Sequence, residues 1–414
     1  GFLRNSAMTS ALEKFRWGDL LEPVESRVVM SDDDEYKLAS IRRRNGGFFH
    51  RETKRGEEIL TKTLSAAAPG AFAISKMQVV HGACAYVPED FGDAYLSASY
   101  VQFVPKDPCR IDTKYLHYFA HSAASYSAFL RSSHGVHIEK MTFDLKDWLK
   151  QWVHLPPLGE QERIAEILGS VDDVIEQTRT QIAKLQDLKT ATMNELLTKG
   201  IGHTEFKDTE LGQIPASWST AMLQDCSSLM TNGFVGSAAQ HYRDDGIPYL
   251  VSTNIRANRI SVESLRFISH EFHEKTGKSR LVKGDLLTVQ SGHVGTTAVV
   301  EDRFDGANCH ALILTRPIAD QINGEFVAFY MNSQLGSRRL SDLYVGSTIL
   351  HLNTSDLKKF RVPVPSLAEQ SAIVEKISSV VSGEDQLTRQ LEHTELLKKS
   401  LMQDLLTGKV RVSV

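Results

Sequence analysis

An α+β architecture built twice, a globular α/β domain followed by one long α-helix and then the same again, is predicted by three features of the sequence. The segment from Pro157 to Ile201 recurs without a gap as Ser366 to Val410. Both copies carry a stripe at alternating spacings of four and three, the period of a helix face. The regions outside the copies, roughly 9–154 and 212–362, contain short mixed runs bounded by glycine, as strands are. A chain that repeats itself in this way has to be read as two copies of one plan before any local motif is interpreted.

In the repeat, Leu158 falls on Leu367, Glu160-Gln161 on Glu369-Gln370, Ile164 on Ile373, Met193 on Met402, and Glu195-Leu196-Leu197-Thr198 on Asp404-Leu405-Leu406-Thr407. The first stripe runs through Ile164, Leu168, Val171, Ile175, Thr178, Ile182, Leu185, Lys189, Thr192 and Leu196. The second runs through Ile373, Ile377, Val380, Glu384, Leu387, Leu391, Thr394, Lys398, Leu401 and Leu405. Thr178 and Glu384 are polar breaks, and Gly383 lowers local helicity by up to ~1 kcal/mol relative to Ala. Each helix is predicted to start after a proline at its Glu-Gln pair, since proline ahead of the first turn and acid within it are start signals. Gly200 and Gly202 are expected to close the first and Gly408 the second. A helix from Glu160 to Thr198 is ~58 Å long at 1.5 Å per residue. That is more than a small domain buries, so the two stripes are expected to be buried against each other.

The globular regions match more weakly. Tyr115-Leu116-His117-Tyr118-Phe119 falls on Phe326-Val327-Ala328-Phe329-Tyr330, Ser122 on Ser333, Gly135 on Gly346, Ile138 on Ile349, and Asp147-Trp148 on Asp356-Leu357. Near their starts, residues 38–44 fall on 250–256. Phe72-Ala73-Ile74-Ser75-Lys76 and Asp285-Leu286-Leu287-Thr288-Val289 read as strands. The predicted division is residues 1–154, first globular domain; 155–201, first long helix; 202–362, second domain with its leading linker; and 363–414, second long helix.

Composition bounds the function. A hydrophobic fraction of 41% and a charged fraction of 24% are those of a globular protein, not of a disordered or fibrous one. No apolar run approaches the ~20 residues that span a bilayer. Gly1 to Met8 lacks the apolar stretch of a signal peptide, with Met8 the expected start, so a cytoplasmic location without a membrane is expected. Cys84, Cys109, Cys226 and Cys309 are too scattered for a zinc site or a disulfide framework, and no metal is expected. The net charge is −4 and the pI about 6.5, which excludes coating nucleic acid by charge alone. Between Lys37 and Lys62, however, eight Lys or Arg stand against three Glu, a local net of +5, directly after the acidic run Asp32-Asp33-Asp34-Glu35. That asymmetry predicts one localised anion-binding face.

No catalytic constellation is present. Gly277-Lys278-Ser279 resembles the end of a phosphate loop, but the glycine required five positions earlier is Phe272. Gly292-His293-Val294-Gly295 is too short for a dinucleotide fingerprint and reads as a turn. Pro156-Pro157 lacks the flanking residues with which amino-methyltransferases hold a base, and Glu205-Phe206-Lys207 has no metal-binding Asp placed with it. None of the 15 histidines forms an H-E-x-x-H motif.

Side chains suited to DNA do cluster. Arg42, Arg43, Arg44 and Asn45 lie together, and the other half holds Asn254, Arg256, Asn258 and Arg259. Arg pairs bidentately with guanine and Asn with adenine. Lys76, Gln78 and His81 in the first half, and Gln290, Ser291 and His293 in the second, flank glycines where a loop approaches a groove closely.

With these residues assembled, the chain resembles the specificity subunit of type I restriction-modification systems. The resemblance rests on Leu155-Pro156-Pro157-Leu158-Gly159-Glu160-Gln161 with the helix ending Asn194-Glu195-Leu196-Leu197-Thr198-Lys199-Gly200, and on its second copy from Pro365 to Val410. It rests also on Glu210-Leu211-Gly212-Gln213-Ile214-Pro215-Ala216-Ser217-Trp218 and on Ile74-Ser75-Lys76 followed by His81-Gly82-Ala83. The first domain departs from the pattern, with Phe15-Arg16-Trp17-Gly18-Asp19-Leu20 in place of the Ile-Pro-x-x-Trp approach. The resemblance implies two target-recognition domains, each reading one half of a split double-stranded DNA target, and helices paired as an antiparallel coiled coil that set the spacer. It also implies two adenine-N6 methyltransferase subunits, which would bind S-adenosylmethionine while this chain binds no cofactor, and motor-nuclease restriction subunits. Two other functions compete: a coiled-coil scaffold with protein-binding globular ends, and a fused enzyme, which the missing motifs disfavour.

Overall fold

The computed structural model describes residues 12–44, 46–60, 62–346 and 350–412. Its contacts divide the chain into two units, one made of residues up to Thr178 with those from Gln390 onward, the other of Arg179–Arg389. Each long helix contributes one part to each unit.

In the first unit a four-stranded antiparallel sheet has the order Leu21–Pro23, Tyr100–Pro105, Phe72–Ser75, Cys84–Tyr86. The strand Phe72–Ser75 is buried on both faces, as its unbroken run of apolar residues requires. A second sheet of five strands contains the long hairpin Glu35–Ile41 and Phe48–Arg55, with Glu35–Ile41 parallel to Ala94–Ser97. Helices Thr113–Phe119 and Ala123–Arg131 follow, capped by the side chains of Asp112 and Ser122. Such caps contribute ~1 kcal/mol each by satisfying a free N–H of the first turn. A strand pair, Glu13–Arg16 with Trp152–Leu155, ends the domain. Its core holds Trp17 stacked on Trp148 at 4.9 Å, with Phe72, Phe103 and Tyr115.

The second unit repeats the four-stranded sheet of this plan, while its second sheet has four strands rather than five. Its four-stranded sheet has the order Ser227–Asn232, Leu312–Pro317, Leu286–Val289, Thr297–Val299. Its second sheet again contains one parallel pair, Ile247–Leu250 with Asn308–Cys309. Helices Gly324–Asn332 and Gln334–Ser341 are capped by Asn323 and Ser333, the counterparts of Asp112 and Ser122. Ser219–Met222 pairs with Arg361–Val364 to close it. The two strands read from the sequence are present as Phe72–Ser75 and Leu286–Val289.

The long helices run Leu158–Lys199 and Leu367–Leu406. Gly200, Gly202 and Gly408 follow them at φ of 68°, 73° and 71°, the left-handed region that a helix stop favours. Gly383 lies within the second helix without breaking it. The ends of the stripes are buried in the domain cores: Ile164, Leu168 and Leu405 in the first unit, and Ile373 and Ile377, with Met193 and Leu197, in the second. Ile175 is buried too, whereas Val171, Ile182, Leu185, Leu196, Val380, Leu387, Leu391 and Leu401 are half-buried. Much of the burial of the stripe ends is therefore against the globular domains.

The Glu-Gln pair at each helix start has the same work in both units. Gln161 is fully buried; its Oε1 accepts from the backbone of Asp112 at 3.1 Å, and its Nε2 donates to the carbonyls of Arg110 and Pro156. Gln370, equally buried, accepts from Asn323 at 2.7 Å and donates to Pro365 and Gln321. Each amide ties the segment that caps a domain helix to the start of a long helix.

Candidate nucleic-acid interface

The basic segment of the first domain folds as the long hairpin, and its charges are largely spent within the domain. Lys37 pairs with Asp93, Arg51 and Lys54 with Glu52, Arg55 with Asp33 and Glu57, and Lys62 with Asp32. The acidic run upstream therefore neutralises much of the excess, and the expected anion-binding face contracts to the hairpin tip. There Arg42 lies over the Phe49 ring at 4.6 Å. Arg44 takes φ of +56°, a strained value for a residue with a side chain. Arg42 and Arg44 have no carboxylate partner among the described residues. Asn45 lies outside the described residues.

The tip docks on the second predicted cluster. The Arg44 N–H donates to the His81 carbonyl at 2.7 Å. Lys76 and Gln78 stand half-buried on the same loop, and Oε1 of Gln78 and Nε2 of His81 are buried with no hydrogen-bond partner. A third element joins them, because the Phe143 N–H donates to the Lys76 carbonyl at 2.8 Å and brings up the loop between Ser133–His134 and Thr142–Phe143. A cavity of about 430 Å³ opens among the three, lined by Arg43, Arg44, His81, His121, Tyr126 and Glu139. Burial pushes His121 down to about 3 and its neighbour His117 down to about 4, so both are neutral at physiological pH. The positive charge there comes from the arginines.

The second domain builds the same three-loop face. The tip is the two-residue turn between Ile255–Arg256 and Arg259–Ile260. Nε2 of His293 lies 3.1 Å from the Ile255 carbonyl, so that nitrogen carries the ring proton and joins tip to loop. The third element arrives through Leu352, whose N–H donates to the Gln290 carbonyl at 3.0 Å, as Phe143 does to Lys76. Ser291 Oγ and His351 Nδ1 are 2.7 Å apart.

Within this face several predicted residues do other work. Asn254 is fully buried, accepting from the Val251 N–H and donating to the carbonyls of Ser261 and Glu263, so its amide is spent on shaping the loop. Gln290 is also buried and donates to Asn232, which likewise removes it from the candidate readers. Asn258 holds the turn at φ of +63°, and its side-chain Oδ1 accepts from Asn332 Nδ2 at 2.7 Å. Arg259 is exposed but leans toward Asp385 at 3.7 Å. Arg256, Ser291 and His293 remain exposed.

The third loop, with Glu139 in one domain and His351 in the other, was missed as a candidate. Its shared traces in the sequence are the matches of Gly135 with Gly346 and of Ile138 with Ile349, a turn glycine and an aliphatic residue that carry no polar chemistry. One set of possible metal ligands, His134, Asp144 and Asp147, lies together among the described residues, with Asp144 half-buried and already capping the helix Leu145–Leu149.

Two copies of one domain, each with a basic loop face and a long helix, define a duplicated recognition protein, and the chain belongs to the type I restriction modification DNA specificity domain family, whose model matches residues 29–187 and 215–394. It is a specificity subunit with two tandem recognition domains, the recognition component of such systems and not a catalytic one. It is 27% identical over 326 residues to the type I restriction enzyme MjaVIII specificity subunit of Methanocaldococcus jannaschii, covering 77% of this chain and 74% of that one. Against the EcoBI specificity subunit of Escherichia coli it is 25% identical over 310 residues, 71% of this chain and 65% of that one. Among solved structures, the S subunit of a type I restriction-modification system from M. genitalium matches over 98% of both chains, with a TM-score of 0.61 and 13% identity. A chain solved in work on complex assembly and conformational transition of the type I R-M system matches over 97% of this chain and 98% of its own, with a TM-score of 0.54 and 15% identity. At those identities the structural likeness speaks for the fold alone. No helix among the described residues is long and apolar enough to cross a membrane.

Proposed function

We propose that each domain reads one half of a bipartite duplex DNA target through its three-loop face, and that the chain brings methyltransferase and restriction subunits to that target. The observation that carries this reading is the recurrence of one loop junction in two domains whose exposed side chains differ. Arg44 meets His81 in one, and His293 meets Ile255 in the other. A conserved frame with different polar groups is what two readers of different sequences need, because base contacts specify and phosphate contacts only position.

The long helices are proposed to pair as an antiparallel coiled coil that sets the spacer between half-sites. In support, the start of the first helix shares a core with the end of the second in one unit, and the end of the first with the start of the second in the other. Repeat-equivalent lysines add to this: Lys398 pairs with Asp172 at 2.5 Å, and Lys189 with Glu384 at 2.5 Å. The duplicated helix starts suit two copies of one partner, proposed as adenine-N6 methyltransferase subunits that bind S-adenosylmethionine, with motor-nuclease subunits completing a cytoplasmic complex.

Selection from a random duplex DNA pool, with and without the methyltransferase subunits, tests the reading, together with mapping of methylated adenines. Two short conserved blocks at a constant separation are expected. Binding without sequence preference would favour the protein-binding scaffold, and turnover of S-adenosylmethionine by the purified chain alone would contradict a non-catalytic role.

A further inference from the structure

The three-loop face of the first domain carries one carboxylate among its cations, and we propose that Glu139 is a specificity-determining residue of the first half-site, accepting a hydrogen bond from an exocyclic amino group of a base. The proposal rests on the reading of this face as DNA-binding.

Glu139 stands on the turn Ile138–Lys140 in the third loop. Its side chain is 61% exposed, and its Oε2 lies 3.6 Å from Nη1 of Arg43 and 3.5 Å from Nε2 of His81. Both distances exceed a hydrogen bond, and among the described residues no donor satisfies the carboxylate. An exposed ion pair at such separations contributes little to the fold. A carboxylate set against a phosphate backbone would weaken binding to every sequence by like-charge repulsion. Set against base edges it discriminates. It only accepts, and in the major groove the donors are the amino groups of cytosine and adenine, while guanine and thymine present oxygen acceptors.

Arg43 beside it has the opposite chemistry, donating only. The two side chains therefore form an acceptor and a donor a few ångströms apart on the wall of one cavity. In the free protein Glu139 stands over Nε2 of His81, which has no hydrogen-bond partner. A base amino group that draws the carboxylate away would leave Arg43 free for a neighbouring guanine.

The test is selection from a random duplex pool by the full chain assembled with its methyltransferase subunits, comparing wild type with Glu139→Gln and Glu139→Ala. Both substitutions are expected to relax preference about ten-fold at one position of the first half-site. The second half-site should be unchanged, which also reports that the variant is folded. Unchanged preference at every position would overturn the role of Glu139 while leaving the domain's DNA reading intact. Equal tightening on all sequences, steeper with falling salt, would also overturn it, by showing that the carboxylate faces phosphate. A wild-type complex that selected no sequence would remove both this proposal and the reading beneath it.

Discussion

The guanidinium of Arg411 grips the carboxylate of Glu160 with two nitrogens, Nε standing 2.6 Å from Oε1. Glu160 opens the first long helix, Arg411 follows the end of the second, and the Val412 N–H approaches the same carboxylate at 3.4 Å. The other unit holds the counterpart: Glu369 accepts from the Ile201 N–H at 3.0 Å and from Trp218 Nε1 at 3.0 Å, with His203 at 2.8 Å. In each unit the first acid of one helix is tied to the residues that leave the other.

Replacing Arg411 by Met leaves the almost fully buried Glu160 carboxylate without its counter-charge, and the first unit should lose about 3 kcal/mol. The Arg411 guanidinium, then the Val412 N–H, hold Glu160 below the ordinary carboxylate range. A depressed pKa contributes stability that is present above the unfolded value and lost as the pH falls through the folded one. The wild type should therefore lose stability on acidification through that window, and the Arg411→Met protein should lose less. Urea denaturation across a pH series measures both; parallel curves for the two proteins would contradict the assignment.

Gln161→Ala and Gln370→Ala should destabilise their own units to a similar extent, about 2 kcal/mol each, because each removes the partner of a half-buried backbone N–H and of a buried proline carbonyl. Amide hydrogen exchange resolves the two units. Loss of protection around Asp112 in the first variant and around Asn323 in the second is the expected pattern.

Substituting Arg43 or Arg44 should change recognition of one half-site, and substituting Arg256 the other. A bidentate contact from Arg to guanine contributes ~1–3 kcal/mol of discrimination, whereas a phosphate contact weakens all sequences alike. Arg259, which leans toward Asp385, should have a smaller effect than Arg256. Competition binding with each half-site scrambled in turn separates these outcomes, and equal loss on every DNA would identify backbone contacts.

Four residues added at the junction Leu197 to Ile201 should lengthen the unread spacer and leave both half-sites unchanged. One helical turn advances ~5.4 Å and a base pair occupies ~3.4 Å, so the shift should be between one and two base pairs. The added turn brings the helix nearly through a full rotation, which keeps the domain's face roughly oriented. Methylation mapping of the variant reads spacer and half-sites together; an altered half-site with an unchanged spacer would remove the ruler role. Because Ile201 and His203 are held by Glu369, some loss of stability should accompany the insertion.

Much of this architecture is legible without coordinates, because it is written in local periodicity. Spacings of three and four recover the helices Leu158–Lys199 and Leu367–Leu406 to within a few residues, and the glycines after them mark their ends. The duplication is legible because one chain contains both copies and each serves as the other's comparison. Residue type also suffices to place Arg42 to Arg44 and Arg256 among exposed cations, since a guanidinium is seldom buried unpaired.

Tertiary structure decided what residue type leaves open. Asn254 and Asn258 have the same amide, suited equally to reading adenine or to holding a turn, and only the carbonyls and N–H groups folded around them show that both hold turns. The neutralisation of the basic segment depends on Asp32, Asp33 and Asp93 being brought across strands to it. Glu139 lies nearly a hundred positions from Arg43, and no spacing rule connects them. They meet because Phe143 bonds to Lys76 and Arg44 to His81, backbone contacts that any side chains at those positions permit and that the sequence alone therefore does not announce. Periodicity is a property of neighbours along the chain, whereas a reading face is assembled from loops distant in sequence, and its membership is fixed only when the sheets that carry those loops have packed.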